Sequence, residues 1–483
     1  MQVTAYLKTR GVWCLLAGLT LLSTQGCTRS ARQLHLPVEV PDSFIAAPQT
    51  KTAEAPEPPQ NNWSEAFADA ELNLLIDWAL TGNFTLRTAW DRLAQAEAIT
   101  RQAGAHLSPQ VDLDAGYRRS RQQVQGQTFY NSVYSVGTAA GYEVDLWSRI
   151  RSSRQAAVLD AEASRNAIDA AAISLTAAVA GTWYQLAEAQ ALVRIARSQI
   201  ETNEQVLQIV TAQFGKGMAA AADVLRQRQL VAATEAQLIS AQETVELLQY
   251  TLSVLIGVEP RLAWQDKPVI LPELGPTPEV GIPTDVLRRR PDVRQAYRQV
   301  QAADLRLAGA IADKYPRLSL SASIETSAPS VHDLFDDWLG NLAANAVQPL
   351  FDGRQRQAEV ERQRALVSER IHTWSQVVLD ALFDVEAALT QQRQQAQLLA
   401  SIQHQLDLAR QTYERNGARF IKGQADYIRV LESLQSLQSL EREVVRAQRT
   451  LVQRRIDLYR AIAGPCELAQ PVLAEIQEEQ AAL

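Results

Sequence analysis

The sequence predicts a mainly α-helical fold with membrane-type β-strands, in which two long helical hairpins are each preceded by a strand pair. Three observations predict it. Prolines crowd into Pro37 to Pro59 and Pro260 to Pro316, so the windows from Pro109 to Pro260 and from Pro349 to Pro465 are largely free of the strongest helix breaker. Those windows are rich in Ala, Leu, Gln, Glu and Arg, which lose little on entering a helix. Before each window the apolar period changes to two, the signature of strands. The whole order then recurs about 206 residues later, which marks an internal duplication.

At the N-terminus, Lys8 and Arg10 precede an apolar run from Gly11 to Leu22, too short to span a bilayer comfortably but suited to a secretory signal. Export from the cytoplasm is therefore expected. Thr24-Gln25-Gly26-Cys27 resembles a bacterial lipoprotein processing site, although Thr24 stands where such sites usually carry Leu. Lipidation of Cys27 is expected, with ordinary signal cleavage as the alternative; acyl chains there would anchor the protein to a membrane. Thr28 follows, not Asp, which allows outer-membrane sorting. The expected organisation is a signal peptide (1–26), a lipidated extended segment (27–62), a first repeat (63–260), a linker (261–283), a second repeat (284–464) and a tail (465–483).

In the first repeat, Leu72, Leu75, Ile76 and Ala79 give one amphipathic helix over Ala70 to Thr81. Asn83 caps a second, which contains Ala89 to Gln102. Val111, Leu113, Ala115 and Tyr117 alternate with polar residues as a strand, a polar loop is expected from Ser120 to Asn131, and Tyr134 to Val144 form the return strand. Leu146 to Gln213 then reads as one helix of about 100 Å at 1.5 Å per residue. It breaks at Phe214-Gly215-Lys216-Gly217 and returns from Asp223 to Ile256. The second repeat answers in order. A helix opens at Arg290-Pro291-Asp292-Val293, strands follow at Leu318 to Ile324 and Leu342 to Val347, and a long helix breaks at Phe420-Ile421-Lys422-Gly423 before returning through Val430-Leu431.

Four strands of about ten residues are long enough to cross a bilayer when tilted, but four cannot close a barrel. An open edge is not tolerated in lipid, so two copies giving eight strands or three giving twelve would have to combine. The competing reading is two soluble strand pairs lying on the helices. Helices too long for a compact domain favour the membrane reading.

The element order, together with Leu287-Arg288-Arg289-Arg290-Pro291-Asp292-Val293, Pro349-Leu350-Phe351-Asp352-Gly353 and Phe420-Ile421-Lys422-Gly423 through Val430-Leu431, resembles the TolC-like outer-membrane efflux family, particularly its lipoprotein branch. The resemblance covers about Trp63 to Gly464. It implies a homotrimer with a twelve-stranded β-barrel in the outer membrane and a periplasmic coiled-coil barrel of helical hairpins. It further implies a passive exit duct that works with a periplasmic adaptor protein and an inner-membrane efflux pump. The alternative is an exported structural or adaptor-like coiled-coil protein that conducts nothing.

By the same resemblance the hairpin tips, Lys216 with Gly217 and Lys422 with Gly423, face the adaptor, although glycine also closes helices by accepting positive φ. The family's periplasmic gate commonly carries acidic residues six and nine places beyond the second tip glycine. Here those places are Arg429 and Glu432, so Glu432 fits and Arg429 departs. Their plain alternative is a solvated pair on one helix face. Tyr117, Tyr134, Tyr142 and Trp147 are candidates for membrane-interface girdles, with packing against the helices an equal alternative for Trp147.

A formal charge of −7 without a basic stripe argues against nucleic-acid binding. Cys14, Cys27 and Cys466 are too few and too scattered for a disulfide framework or a zinc site. The five histidines are dispersed and no nucleophile elbow or metal cluster is visible, so neither catalysis nor a cofactor is expected.

Overall fold

The computed structural model describes residues 36–46, 63–260, 268–278 and 280–464. Two units are distinguished. The first, residues 1–39, is described only over 36–39, which form neither helix nor strand. Cys27 and the signal segment lie outside the described residues, as does the tail.

The second unit, residues 40–483, contains everything else. A 3-10 turn at Trp63–Phe67 leads into α1 (Ala70–Gly82) and α2 (Phe84–Ala105). Asn83 caps α2 as expected, its side-chain oxygen accepting from the Leu86 N–H at 3.1 Å, while its amide donates to the Leu255 carbonyl at 2.9 Å. After the strands β1 (Gln110–Val124) and β2 (Gln127–Val144) comes α3 (Arg149–Gly215), an unbroken 67-residue helix, paired with α4 (Ala221–Leu255). The second half repeats the plan: α5 (Pro283–Arg289), α6 (Pro291–Ala312), β3 (Arg317–Ala328), β4 (Leu339–Val347), α7 (Gln355–Ile421, again 67 residues) and α8 (Tyr427–Ile462). Among the described residues no helix is long and apolar enough to cross a membrane.

The duplication extends to backbone detail. Ser148 and Arg354, which precede α3 and α7, both adopt left-handed φ, at 60° and 70°. Each helix start is held by an acid from the loop before it. Asp145 accepts from the N–H groups of Ile150 and Arg151 at 3.1 and 2.9 Å, and Asp352 accepts from Arg356 N–H at 3.3 Å. A carboxylate there satisfies orphan N–H groups and faces the positive end of the helix dipole.

The strands do not form two separate pairs. They make one antiparallel sheet in the order β1-β2-β3-β4, with β2 and β3 joining the repeats from Tyr134 opposite Ala328 to Val144 opposite Leu318. This removes the reading of two independent hairpins lying on the helices. The expected loop at Ser120 to Asn131 is also overturned, because the β1–β2 ladder runs on to Val124 opposite Gln127. The reason lies in the turn: Gln125 and Gly126 both have positive φ, 51° and 85°, the two-residue geometry whose twist matches the flanking strands.

Midway along the helices sits the main apolar core. Trp63 stacks on Tyr459 with ring centroids 5.7 Å apart, Phe67 packs on Tyr184 at 5.5 Å, and Leu72, Ile76, Val385, Ile456 and Ile462 fill the space around them. Phe44 is buried in the same core, and the Glu386 carboxylate accepts from the backbone N–H groups of Ile45 and Ala46. The end of α4 meets the α1–α2 corner so closely that a Cβ at Gly257 would lie 2.1 Å from the Gly82 carbonyl oxygen. Only glycines permit that approach.

Arg290 ties the start of the second repeat into this region. Its nearly buried guanidinium bonds Asp292 at 2.6 Å and Asp384 at 3.1 Å and donates to the Ala461 carbonyl at 3.2 Å, joining α6, α7 and the end of α8. Burial opposes its charge, but the two carboxylates outweigh burial and hold its pKa above the ordinary value. Removing one partner of such a group leaves polar atoms stranded. Arg290→Ala is expected to cost about 2 to 3 kcal/mol, with partial recovery in Arg290→Lys, read as a lowered thermal midpoint by circular dichroism in detergent.

Candidate functional site

The sheet has two chemically distinct faces, fixed by its register. Val111, Leu113, Ala115 and Tyr117 of β1 lie on the same face as Tyr134, Val136, Ala140 and Tyr142 of β2, Leu318, Leu320 and Ile324 of β3, and Leu342 and Ala344 of β4. The opposite face carries Asp112, Asp114, Glu143, Ser319, Ser321, Ser323, Glu325 and Asn345. An apolar exterior and a polar interior are what a membrane barrel wall requires. Tyr117 and Tyr134 pack ring to ring at 4.7 Å at the far edge of the apolar face. Trp147 instead stacks on Tyr315 at 4.9 Å and donates to the Pro316 carbonyl, so it serves the joint between sheet and helices.

At the other end of the long helices stand the two tips. Gly217 and Gly423 adopt φ of 73° and 70°, and the Met218 methyl lies 3.6 Å from where a Cβ of Gly423 would be, so the tips are neighbours. Lys216 and Lys422 follow the last turns of α3 and α7 and are exposed. The copies differ in their apolar positions. Phe420 and Leu431 are buried in a cluster with Val206, Val210, Tyr427 and Leu434, whereas their counterparts Phe214 and Leu225 are 47% and 63% exposed. The first tip therefore leaves uncovered two apolar positions that the second buries, while the second exposes Ile421 beside Lys422.

Arg429 and Glu432 lie on the exposed side of α8, opposite the buried Val430, Leu431 and Leu434. Among the described residues they form no ion pair with each other. Asp426 occupies the N-cap of α8 without a side-chain cap bond, so its contribution there is to the helix dipole.

A buried polar network that sequence reasoning missed lies about 21 Å from the tip, counted as 14 residues at 1.5 Å each. Asn203 of α3 donates to Thr234 of α4 at 2.9 Å and accepts from Gln438 of α8 at 2.7 Å. Gln227 donates to the Asn203 carbonyl at 2.7 Å and accepts from the Tyr427 hydroxyl. Gln199 donates to the Gln438 carbonyl and to Glu441 and accepts from Arg442 at 2.7 Å. Burial pushes the Tyr427 pKa upward, with Asp223 adding to the shift, so its hydroxyl remains a donor. Three helices from both repeats thus share one set of satisfied polar atoms. Only the buried state of the amides distinguishes them from the many surface glutamines, and the sequence carries no signal for it.

Among the described residues no group of three or more His, Cys, Asp or Glu could hold a metal ion. The open clefts between helices, such as that lined by Gln190, Arg194, Arg197, Gln242 and Glu246, are polar and wide.

The sequence profile of the outer membrane efflux protein family matches residues 75–258 and 282–464. The pyoverdine export outer membrane protein OpmQ of Pseudomonas aeruginosa is 28% identical, over 93% of this chain and 96% of its own length. The probable outer membrane lipoprotein SilC of Salmonella typhimurium is 23% identical over 93% and 98%. Among solved structures, the outer-membrane channel OprN superposes with a TM-score of 0.83 at 25% identity, covering 90% of this chain and 99% of that one. CusC, at 22% identity and a TM-score of 0.78, shares the fold.

Asn203→Ala would leave the buried Gln438 amide without its acceptor and remove the donor to the Thr234 hydroxyl, which keeps its own bond to the Leu230 carbonyl, at about 1 to 3 kcal/mol for the group left unpaired. The expected outcome is faster hydrogen exchange in α8 between Tyr427 and Glu441 than in the unmodified protein, with little change near Tyr459.

Proposed function

The chain belongs to the outer membrane efflux protein family, and from that premise we propose that it is the exit duct of a tripartite efflux system, passively conducting solutes handed over by an adaptor and an inner-membrane pump. The observation that carries this reading is the four-stranded sheet with both edges open. A wall that is apolar outside, polar inside and unpaired along β1 and β4 calls for further copies, and three protomers supply twelve strands. The length of α3 and α7, about 100 Å each at 1.5 Å per residue, supports a coiled-coil tunnel reaching far into the periplasm. Acylated Cys27 is its proposed lipid anchor.

At the tunnel's far end, Lys216, Gly217, Lys422 and Gly423 are the proposed contact with the adaptor, supported by the exposed Phe214 beside the first tip. Arg429 and Glu432 are the proposed gate lining, supported by their exposed side of α8 and their lack of an ion pair. A ring of mixed charge would select weakly between cations and anions, and a wide, wet bore selects weakly among solutes. Choice of cargo then rests with the pump.

Purified protein is expected to run as a trimer by native mass spectrometry and to produce stepwise conductance in planar bilayers; a monomer without conductance would overturn the duct. In an assembled trimer, Glu432→Ala should shift ion selectivity toward anions without loss of the trimer. Unchanged reversal potentials across a salt gradient would remove Glu432 from the gate.

A further inference from the structure

We propose that Arg119, Arg121 and Tyr130, on the outward face of the projecting β1–β2 hairpin, bind the phosphates of an anionic lipid headgroup in the outer leaflet of the membrane. The proposal rests on the barrel reading above.

The register places these residues. Arg119 and Arg121 continue the face that carries Val111, Leu113, Ala115 and Tyr117, and Tyr130 lies opposite Arg121 on β2. They therefore follow directly on the lipid-facing band, immediately beyond the Tyr117–Tyr134 pair that ends it. Arg119 is two residues past Tyr117 and Arg121 four, about 7 and 13 Å along the strand. A strand tilt of about 40° reduces this to about 5 and 10 Å above the aromatic pair. Arg119 thus falls within the headgroup layer, since the hydrocarbon core and the full bilayer differ by about 5 to 8 Å on each side, and Arg121 stands at its outer margin.

The chemistry fits a phosphate. The guanidinium carbon of Arg119 lies 5.3 Å from the Tyr130 ring centroid and that of Arg121 lies 6.0 Å from it, so one ring organises two planar cations. Neither arginine makes an ion pair among the described residues, and Tyr130 is 61% exposed. Guanidinium forks match phosphate oxygens in geometry as well as charge, and the Tyr130 hydroxyl adds a donor. The hairpin also stands clear of its neighbours within the chain. β3 ends at Ala328 opposite Tyr134, so the ladder from Arg118 to Val124 has no strand beside β2. Arg118, by alternation, faces the opposite, luminal side and serves as an internal control.

The full-length trimer, purified in detergent, is titrated with lipid A and the bound lipid is counted by native mass spectrometry. The double variant Arg119→Gln/Arg121→Gln is expected to bind lipid A about 25-fold more weakly, at about fivefold per arginine. Arg118→Gln should bind as the unmodified protein does, and dephosphorylated lipid A should bind the unmodified trimer no better than the double variant. Equal lipid A binding by the double variant overturns the proposal, as does an equal loss in Arg118→Gln. Inorganic phosphate that displaces lipid A at equal concentration would identify a free-anion site and overturn the lipid source. A double variant that loses the trimer would overturn the lipid site and assign the arginines to the contact between protomers. Failure of the unmodified trimer to conduct in a bilayer would instead remove the membrane placement on which the site depends.

Discussion

Everything in this molecule follows from the cost of an unpaired strand edge in lipid. Backbone N–H and C=O groups without partners cannot be offset by water in the hydrocarbon region, so a four-stranded sheet is stable there only as an arc of a closed wall. The chain meets half of that demand internally, by pairing β2 of the first repeat with β3 of the second. The remaining edges, β1 and β4, hand the problem to other copies. Oligomerisation is thus a condition of the fold in the membrane, set by hydrogen-bond geometry more than by any particular contact.

Beneath the sheet the governing requirement changes from closure to register. Helices of 67 residues with apolar stripes could slide past one another at little cost, because every turn of an aliphatic seam resembles the next. Polar features oppose sliding, two of them buried sets and others single links such as Arg449 to Glu188. Arg290 bonds Asp292, Asp384 and the Ala461 carbonyl at the level of the main core, and the Asn203 network links α3, α4 and α8 nearer the tip. Each is satisfied in one alignment only. The helices are thus pinned at two heights, leaving the tips beyond the lower pin as the segment best able to move.

Much of this was legible in the sequence, and the losses have physical causes. Proline spacing and the tip glycines revealed the helical hairpins to within a few residues, because a missing N–H donor and a positive φ are local facts. Strand extent was hidden. Period-two alternation between apolar and polar residues exists only where one face meets lipid, and above Tyr117 both faces are wet, so the ladder to Val124 looked like a loop. The non-equivalence of the tips was half visible: the family resemblance pointed to Arg429 and Glu432 by their spacing from Gly423, but burial of Phe420 and Leu431 against exposure of Phe214 and Leu225 needed the three-dimensional neighbours. Asn203, Gln227 and Gln438 were invisible among a surface rich in similar amides.

Pairing between β2 and β3 also constrains when the molecule can mature. Tyr134 finds its partner 194 residues later in the chain, at Ala328. Loop closure over that separation is entropically slow, and the first strand pair has no complete sheet to join until the second half has been translated and translocated. Throughout that interval the β1–β2 hairpin is an exposed, apolar-faced ribbon with two free edges, the kind of species that aggregates. Duplication thus places completion of the sheet late, after the second half of the chain has become available to pair with the first.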